Sequence, residues 1–210
     1  MTSVFGRIGV ECPPFELLKR TSIYEVRRYP ALLRAEVDMP SARSLNTGDG
    51  FRSLANYIFG GNTSRNSDTS ESIAMTAPVI TEHATKSEKI AMTAPVLTQG
   101  QPAEGGVRMA FVLPSKYTSL DALPVPLDPN VKLTQTPERT YAVIQFNGYT
   151  DQETVDQKTA VLVDAVRQDP ELELVQTEVR PLLARYNPPW AIGYFRTNEV
   201  MVEVAFKPKK

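Results

Sequence analysis

The chain is short of the residues from which most catalytic and metal centres are built. It has one cysteine, Cys12, and one histidine, His83, in 210 residues. A single cysteine excludes an internal disulfide and a cysteine-built metal site, and it suits a reducing compartment. Neither sign of charge is in excess: 23 Lys and Arg against 24 Asp and Glu leave a net charge of −1. There is therefore no basic field for nucleic acid or anionic lipid. No apolar run approaches the ~20 residues of a membrane span. The first residues, Met1 to Ile8, lack the apolar core of a secretory signal. The expectation is a cytoplasmic protein, and a plastid form with its transit peptide removed would read the same way. No Ser-His-Asp set, phosphate loop, dinucleotide fingerprint or His/Asp cluster is present.

What the chain does have is one phrase said twice. Ile73-Ala74-Met75-Thr76-Ala77-Pro78-Val79-Ile80-Thr81 recurs as Ile90-Ala91-Met92-Thr93-Ala94-Pro95-Val96-Leu97-Thr98. A fainter echo, Arg108-Met109-Ala110-Phe111-Val112-Leu113-Pro114, follows. Each copy is short, β-branched and bounded by polar residues, which is a strand signal. Its Pro removes a backbone donor and belongs at a bulge, an edge or a strand end. The two copies read as arms of a hairpin, with the lone His83 in the polar loop between them. Met75 and Met92 fit either of two roles, filling gaps in a core or lining one wall of a pocket.

Around this phrase the chain reads as two similar halves. Residues 15–20, 24–29 and 32–37 are predicted strands, the last two forming a hairpin or meander. Phe51, Leu54, Ala55 and Ile58 then fall on one face of a helix that Gly60-Gly61 ends. A polar, mobile loop is expected over residues 62–72, and a Pro-rich crossover outside the sheet core over 115–137. The second half offers a strand over 140–146 and a helix opened by a Thr150/Glu153 capping box. Val155, Leu162 and Val166 mark its face, and strands at 182–186 and 199–206 follow. The predicted architecture is α+β: a distorted antiparallel β-barrel of two pseudo-symmetric β-α-β-β repeats with a helix on each. The expected bounds are an arm over 1–22, repeats over about 23–114 and 138–206, and one domain in all. Trp190, after Pro188-Pro189, reads as a core plug or as a stacking lid.

Six stretches carry a resemblance. They are Tyr24-Glu25-Val26-Arg27-Arg28-Tyr29, Gly50-Phe51-Arg52, Tyr57-Ile58-Phe59-Gly60-Gly61-Asn62, Ile90 to Val96, Tyr186-Asn187-Pro188-Pro189-Trp190 and Arg196-Thr197-Asn198-Glu199-Val200. Together they resemble the SOUL haem-binding protein family, most closely its plant and algal cytosolic members. The resemblance implies a monomer or weak oligomer that holds haem non-covalently, and metal-free porphyrins too, in an apolar cleft under the first helix. The implied site comprises Phe51, Arg52, Leu54, Ala55 and Ile58 on that helix, with Met75, Met92, Trp190, Phe195 and Arg196 around it. Where family members place basic residues for the propionates, this chain has Asn56 and Ala191; Arg52, Arg65 and Arg196 are the substitutes. A vertebrate axial histidine is matched here by Arg28. Cys12, the Met residues, and Tyr24, Tyr57 and Tyr186 are the remaining groups able to ligate iron. The implied function is a carrier or buffer of haem and porphyrins, with an enzyme acting on the tetrapyrrole or a protein-interaction adaptor as the alternatives.

Overall fold

A computed structural model describes residues 8–39, 48–83, 106–187 and 191–208. Its strands are β1 (Glu16–Arg20), β2 (Glu25–Tyr29), β3 (Leu32–Met39), β4 (Asn62–Thr63), β5 (Val79–His83), β6 (Val107–Val112), β7 (Val125–Pro126), β8 (Lys132–Thr136), β9 (Arg139–Asn147), β10 (Leu172–Leu174), β11 (Leu182–Arg185) and β12 (Thr197–Phe206). Two helices, α1 (Gly48–Ile58) and α2 (Gln152–Gln168), complete it. The fold is α+β: one strongly curled antiparallel sheet forms a half-barrel and the helices pack on its outside.

The sheet runs β1-β2-β9-β12-β11-β5-β6-β3-β8. From β2 to β8 this order is a palindrome: exchanging β2 with β8, β3 with β9, β5 with β11 and β6 with β12 reverses it onto itself. The junction of β5 and β11 is the centre of the pattern, with Ile80 opposite Ala184. Each half lends its first strand to the other. β2 leads directly into β3 but pairs with β9, and β8 leads into β9 but pairs with β3. The hairpin expected across residues 23–38 is therefore absent. The Pro-rich crossover, expected to stay outside the sheet, supplies β8 to its edge.

Alternation decides which side chains go where. On the convex face Leu33, Ala35, Val37, Met109 and Phe111 pack against Leu54, Tyr57 and Ile58 of α1. Ala142, Ile144, Val200, Val202 and Leu183 likewise pack against Val155, Leu162 and Val166 of α2. The helix stripes read in the sequence are thus core. The turn that closes α1 holds Gly60, whose φ of +111° suits glycine, and Gly61 N–H donates to Asn56 O at 2.8 Å. The cap of α2 is Asp151, not Thr150; its carboxylate accepts from Thr154 N–H at 2.9 Å.

The loop after α1, expected to be mobile, is fastened. Buried Asn62 donates to Tyr57 O at 2.6 Å and to Glu71 O at 2.8 Å, and its own oxygen accepts from Glu71 N–H. In the duplicated phrase the first copy becomes strand only from Val79. Its partner is the echo strand β6, and the second copy lies outside the described residues. His83 is the last residue of β5, paired with Val107, so it belongs to the strand end and not to the loop where it was expected.

Candidate functional site

α1 contacts β3 and β6, whereas α2 contacts β9, β10 and β12. The central pair β5/β11 lies between the helices, so its convex face is the floor of a valley. Across that floor runs one register row: Phe111 of β6 pairs with Val79 of β5, which pairs with Arg185 of β11. Phe51 of α1 stands edge-on to Phe111, ring centroids 5.4 Å apart, at one end of the row. The guanidinium of Arg185 is at the other. Neighbouring strands are about 4.8 Å apart, so an aromatic wall and a cation face each other across roughly two strand spacings.

Arg185 is set apart by its partners. It donates to two hydroxyls, Thr150 Oγ1 and Thr81 Oγ1, each at 2.9 Å. No carboxylate among the described residues pairs with it. Desolvation alone lowers its pKa to about 10, which still leaves it charged at neutral pH. A half-buried guanidinium held by neutral hydroxyls is a receptor for an anion, above all for a planar carboxylate.

The far wall of the valley is aromatic. Gly193 lies against Tyr149, so closely that a Cβ there would come within 2.1 Å of the ring. Tyr194 and Phe195 stack edge-on at 5.5 Å, and Arg196 places its guanidinium 5.7 Å from the Tyr149 ring centre. Tyr149, Ile192, Tyr194 and Phe195 all leave large apolar area exposed. Thr150, next to Tyr149, holds Arg185, so this wall and the valley floor form one unit.

The residues expected from the sequence divide three ways. Phe51 and Ala55 are half-buried on α1, and Met75 is a partly buried neighbour of the same core. Phe195 and Arg196 belong to the aromatic wall. Leu54 and Ile58, at 0% and 2% exposure, are inside the core and present no surface to a ligand. Arg52 is exposed and pairs with Asp49 in its own first turn. Arg65 donates to Leu123 O at 2.8 Å. Met92 and Trp190 lie outside the described residues. Arg185 was missed; its only trace in the sequence is one charge inside the apolar run Leu182-Leu183-Ala184-Arg185-Tyr186.

Ligands for a metal are scarce here. No His/Cys/Asp/Glu group able to hold an ion occurs among the described residues. The Tyr24 hydroxyl donates to Asp169 Oδ2 at 2.5 Å, Tyr57 to Pro124 O at 3.0 Å and Tyr186 to Glu199 Oε2 at 2.6 Å. Burial pushes all three phenols up, Tyr24 to about 12, so none is a phenolate near neutrality. Partial desolvation, then the charges of Glu199 and Glu11, push the Cys12 thiol up as well.

A family model described as SOUL heme-binding protein matches residues 10–87 and 80–203. Comparison with curated proteins finds no match. Several solved structures share the fold. The EcmrR C-terminal domain has a TM-score of 0.53 at 13% identity, covering 87% of this chain and 98% of that one. A hydrolase from Listeria innocua has a TM-score of 0.57 at 9% identity, covering 90% and 94%. An uncharacterized conserved protein from the same organism has a TM-score of 0.55 at 11% identity, covering 86% and 92%. At such identities the likeness is one of fold alone.

Proposed function

We propose that this chain, which belongs to the SOUL haem-binding protein family, is a carrier or buffer that holds haem and metal-free porphyrins in the valley between its helices. The observation that carries the reading is the row Phe111–Val79–Arg185 with Phe51 upon it. A tetrapyrrole is a flat apolar ring with carboxylates at one edge. The row offers an aromatic and aliphatic surface at one end and a carboxylate receptor at the other. Tyr149 and Phe195 close the far side, and Ala55 leaves room beside Phe51. Haem bound here would bring its iron and redox chemistry. The chain's own residues bury the ring and orient its acidic edge.

Affinity on this reading comes from ring burial at roughly 25 cal/mol per Å² of apolar surface, plus the Arg185 contact. The described residues single out no axial ligand, so the metal contributes little. The test is a Soret titration of wild type and Arg185→Leu, with hemin and with protoporphyrin dimethyl ester, whose carboxylates are blocked. A charge-assisted hydrogen bond contributes about 1.5–3 kcal/mol, so Arg185→Leu should weaken hemin about tenfold or more. The ester should bind both proteins alike. Equal hemin affinity in the two proteins would remove Arg185 from the site.

A further inference from the structure

The arm that precedes β1 forms one wall of a cavity of about 400 Å³, a volume within the ~300–1,000 Å³ range of small-molecule sites. The floor is apolar. It is made by Leu32 and Leu33, where β3 begins, and by Val112 and Leu113, where β6 ends. Pro13, Pro14, Pro30 and Pro114 stand around it, each with its backbone φ fixed by its ring. Phe51, Val79, Phe111 and Arg185, the residues of the valley row, do not line it.

Among the described residues that line this cavity, Glu11 is the one that carries a charge; the other polar groups are neutral hydroxyls, a thiol and an amide. Glu11 is fixed at both ends. Its carbonyl accepts from Ala77 N–H at 2.9 Å, beside a parallel bridge to Thr76, and its Oε1 accepts from Ser115 N–H at 2.8 Å. The Ser115 hydroxyl and N–H together hold the carboxyl below its ordinary pKa, so it is ionised at neutral pH. No cation among the described residues pairs with it. Lys116, the next residue after Ser115, is engaged elsewhere, 3.4 Å from Glu71 Oε1 and 4.5 Å from the Tyr117 ring centre. The neighbouring Cys12 thiol, pushed up first by desolvation and then by the charges of Glu199 and Glu11, lies in the same negative potential.

A carboxylate offers about four acceptor positions, and Ser115 takes two of them. An anchor for the arm would need no more than that. The combination of an apolar floor with a fixed, accessible anion at its edge suits a ligand of the opposite kind: an apolar body that ends in a cation with hydrogens to donate.

We infer that the arm cavity is a second binding site, for an amphipathic organic ammonium whose body lies on Leu32, Leu33, Val112 and Leu113 and whose N–H groups donate to the Glu11 carboxylate. The site does not depend on the haem reading, because it shares no residue with the valley row.

Equilibrium titration of the full-length protein with 2-naphthylmethylammonium, and with its uncharged isostere 2-naphthylmethanol, tests it. One ammonium should bind per chain, at least about fivefold tighter than the alcohol. Glu11→Gln keeps an acceptor for Ser115 but removes the charge. It should bring the ammonium down to the affinity of the alcohol and leave the alcohol unchanged. Ala31→Trp and Thr118→Trp, at exposed positions of the lining, fill the cavity and should abolish binding of both while the urea midpoint stays that of wild type. Hemin-saturated protein should bind the ammonium as well as free protein does. No saturable binding, equal affinity for ammonium and alcohol in wild type, or ammonium affinity untouched by Glu11→Gln or by the two tryptophans would overturn the inference. So would displacement of the ammonium by hemin. Equal weakening of both probes in Glu11→Gln would also overturn it, because Glu11 would then act only by holding the arm.

Discussion

At the scale of single residues, the charges of this protein sort by what neutralises them. Arg27 meets Glu199 at 2.8 Å inside the sheet, and Glu199 also accepts from Tyr186 at 2.6 Å. Burial opposes the Arg27 charge, but Glu199 outweighs it and holds the guanidinium above its ordinary pKa. Such a pair is spoken for and leaves nothing for a ligand. Among the described residues, Arg185 has only the hydroxyls of Thr81 and Thr150 as side-chain partners. Asp169 is one of the carboxyls through which pH acts on the fold. Burial alone would raise its carboxyl, but Lys19 at 2.8 Å, the Tyr24 hydroxyl and Glu171 N–H outweigh that and lower it. A lowered carboxyl contributes stability above its ordinary value, and that stability is lost as pH falls through the lowered one. Tyr24 has the opposite sign. Burial and Asp169 raise it from 10 to about 12, so its contribution is full below pH 10 and disappears as pH rises through about 12. Urea midpoints measured from pH 3 to 7 should fall towards acid in wild type and more shallowly in Asp169→Asn. Parallel curves would mean that Asp169 does not couple folding to protons. His83, the lone imidazole, ends a strand and was expected in a loop. On the account given for haem, His83→Ala should keep the full Soret shift, and its loss would restore histidine ligation.

At the scale of elements, α1 is asked to do two things. Leu54 and Ile58 hold it to the sheet, while Phe51 and Ala55 border the valley. The 3.6-residue stripe was plain in the sequence, but periodicity marks an apolar face without saying how much of it a sheet consumes. The strands read at 140–146 and 199–206 match β9 and β12 to within two residues at each end. What could not be read was partnership. Nothing local tells β2 to pair with β9 across more than a hundred residues, or brings β8 from a Pro-rich stretch to the edge of β3. For the same reason Arg34 and Thr134 could not be seen as neighbours, since their opposition exists only once β8 has crossed over. The fastening of residues 62–71 was hidden too, because Asn62 within a polar run resembles any loop asparagine. Ala55→Trp separates the two roles of α1. Tryptophan there should block hemin by filling the space beside Phe51, with a stability cost of about 1–3 kcal/mol if neighbours must shift. Hemin affinity and melting temperature should be measured together. Undiminished affinity in a folded variant would place the porphyrin away from α1.

At the scale of the whole molecule, the palindromic sheet explains why a valley lies between the two helices. A curled sheet has an outside and an inside. Outside, each repeat covers its own strands with its own helix, and the seam between repeats stays open as the valley. On the other face no helix of the described residues packs, and the pairing of β2 with β9 brings Tyr29 beside Tyr141, ring centroids 6.0 Å apart. On the proposed reading the valley would hold the family's ligand with a ring surface and with Arg185, which pairs with no carboxylate among the described residues, and the described residues single out no ligand for iron. That is the central claim, and parallel equilibrium titrations of wild-type protein with hemin and with metal-free protoporphyrin test it most directly. The account predicts one site for each and dissociation constants within about tenfold, 1.4 kcal/mol, of one another. Tight binding of hemin with no binding of metal-free protoporphyrin would contradict it, because affinity would then come from the iron and not from the ring.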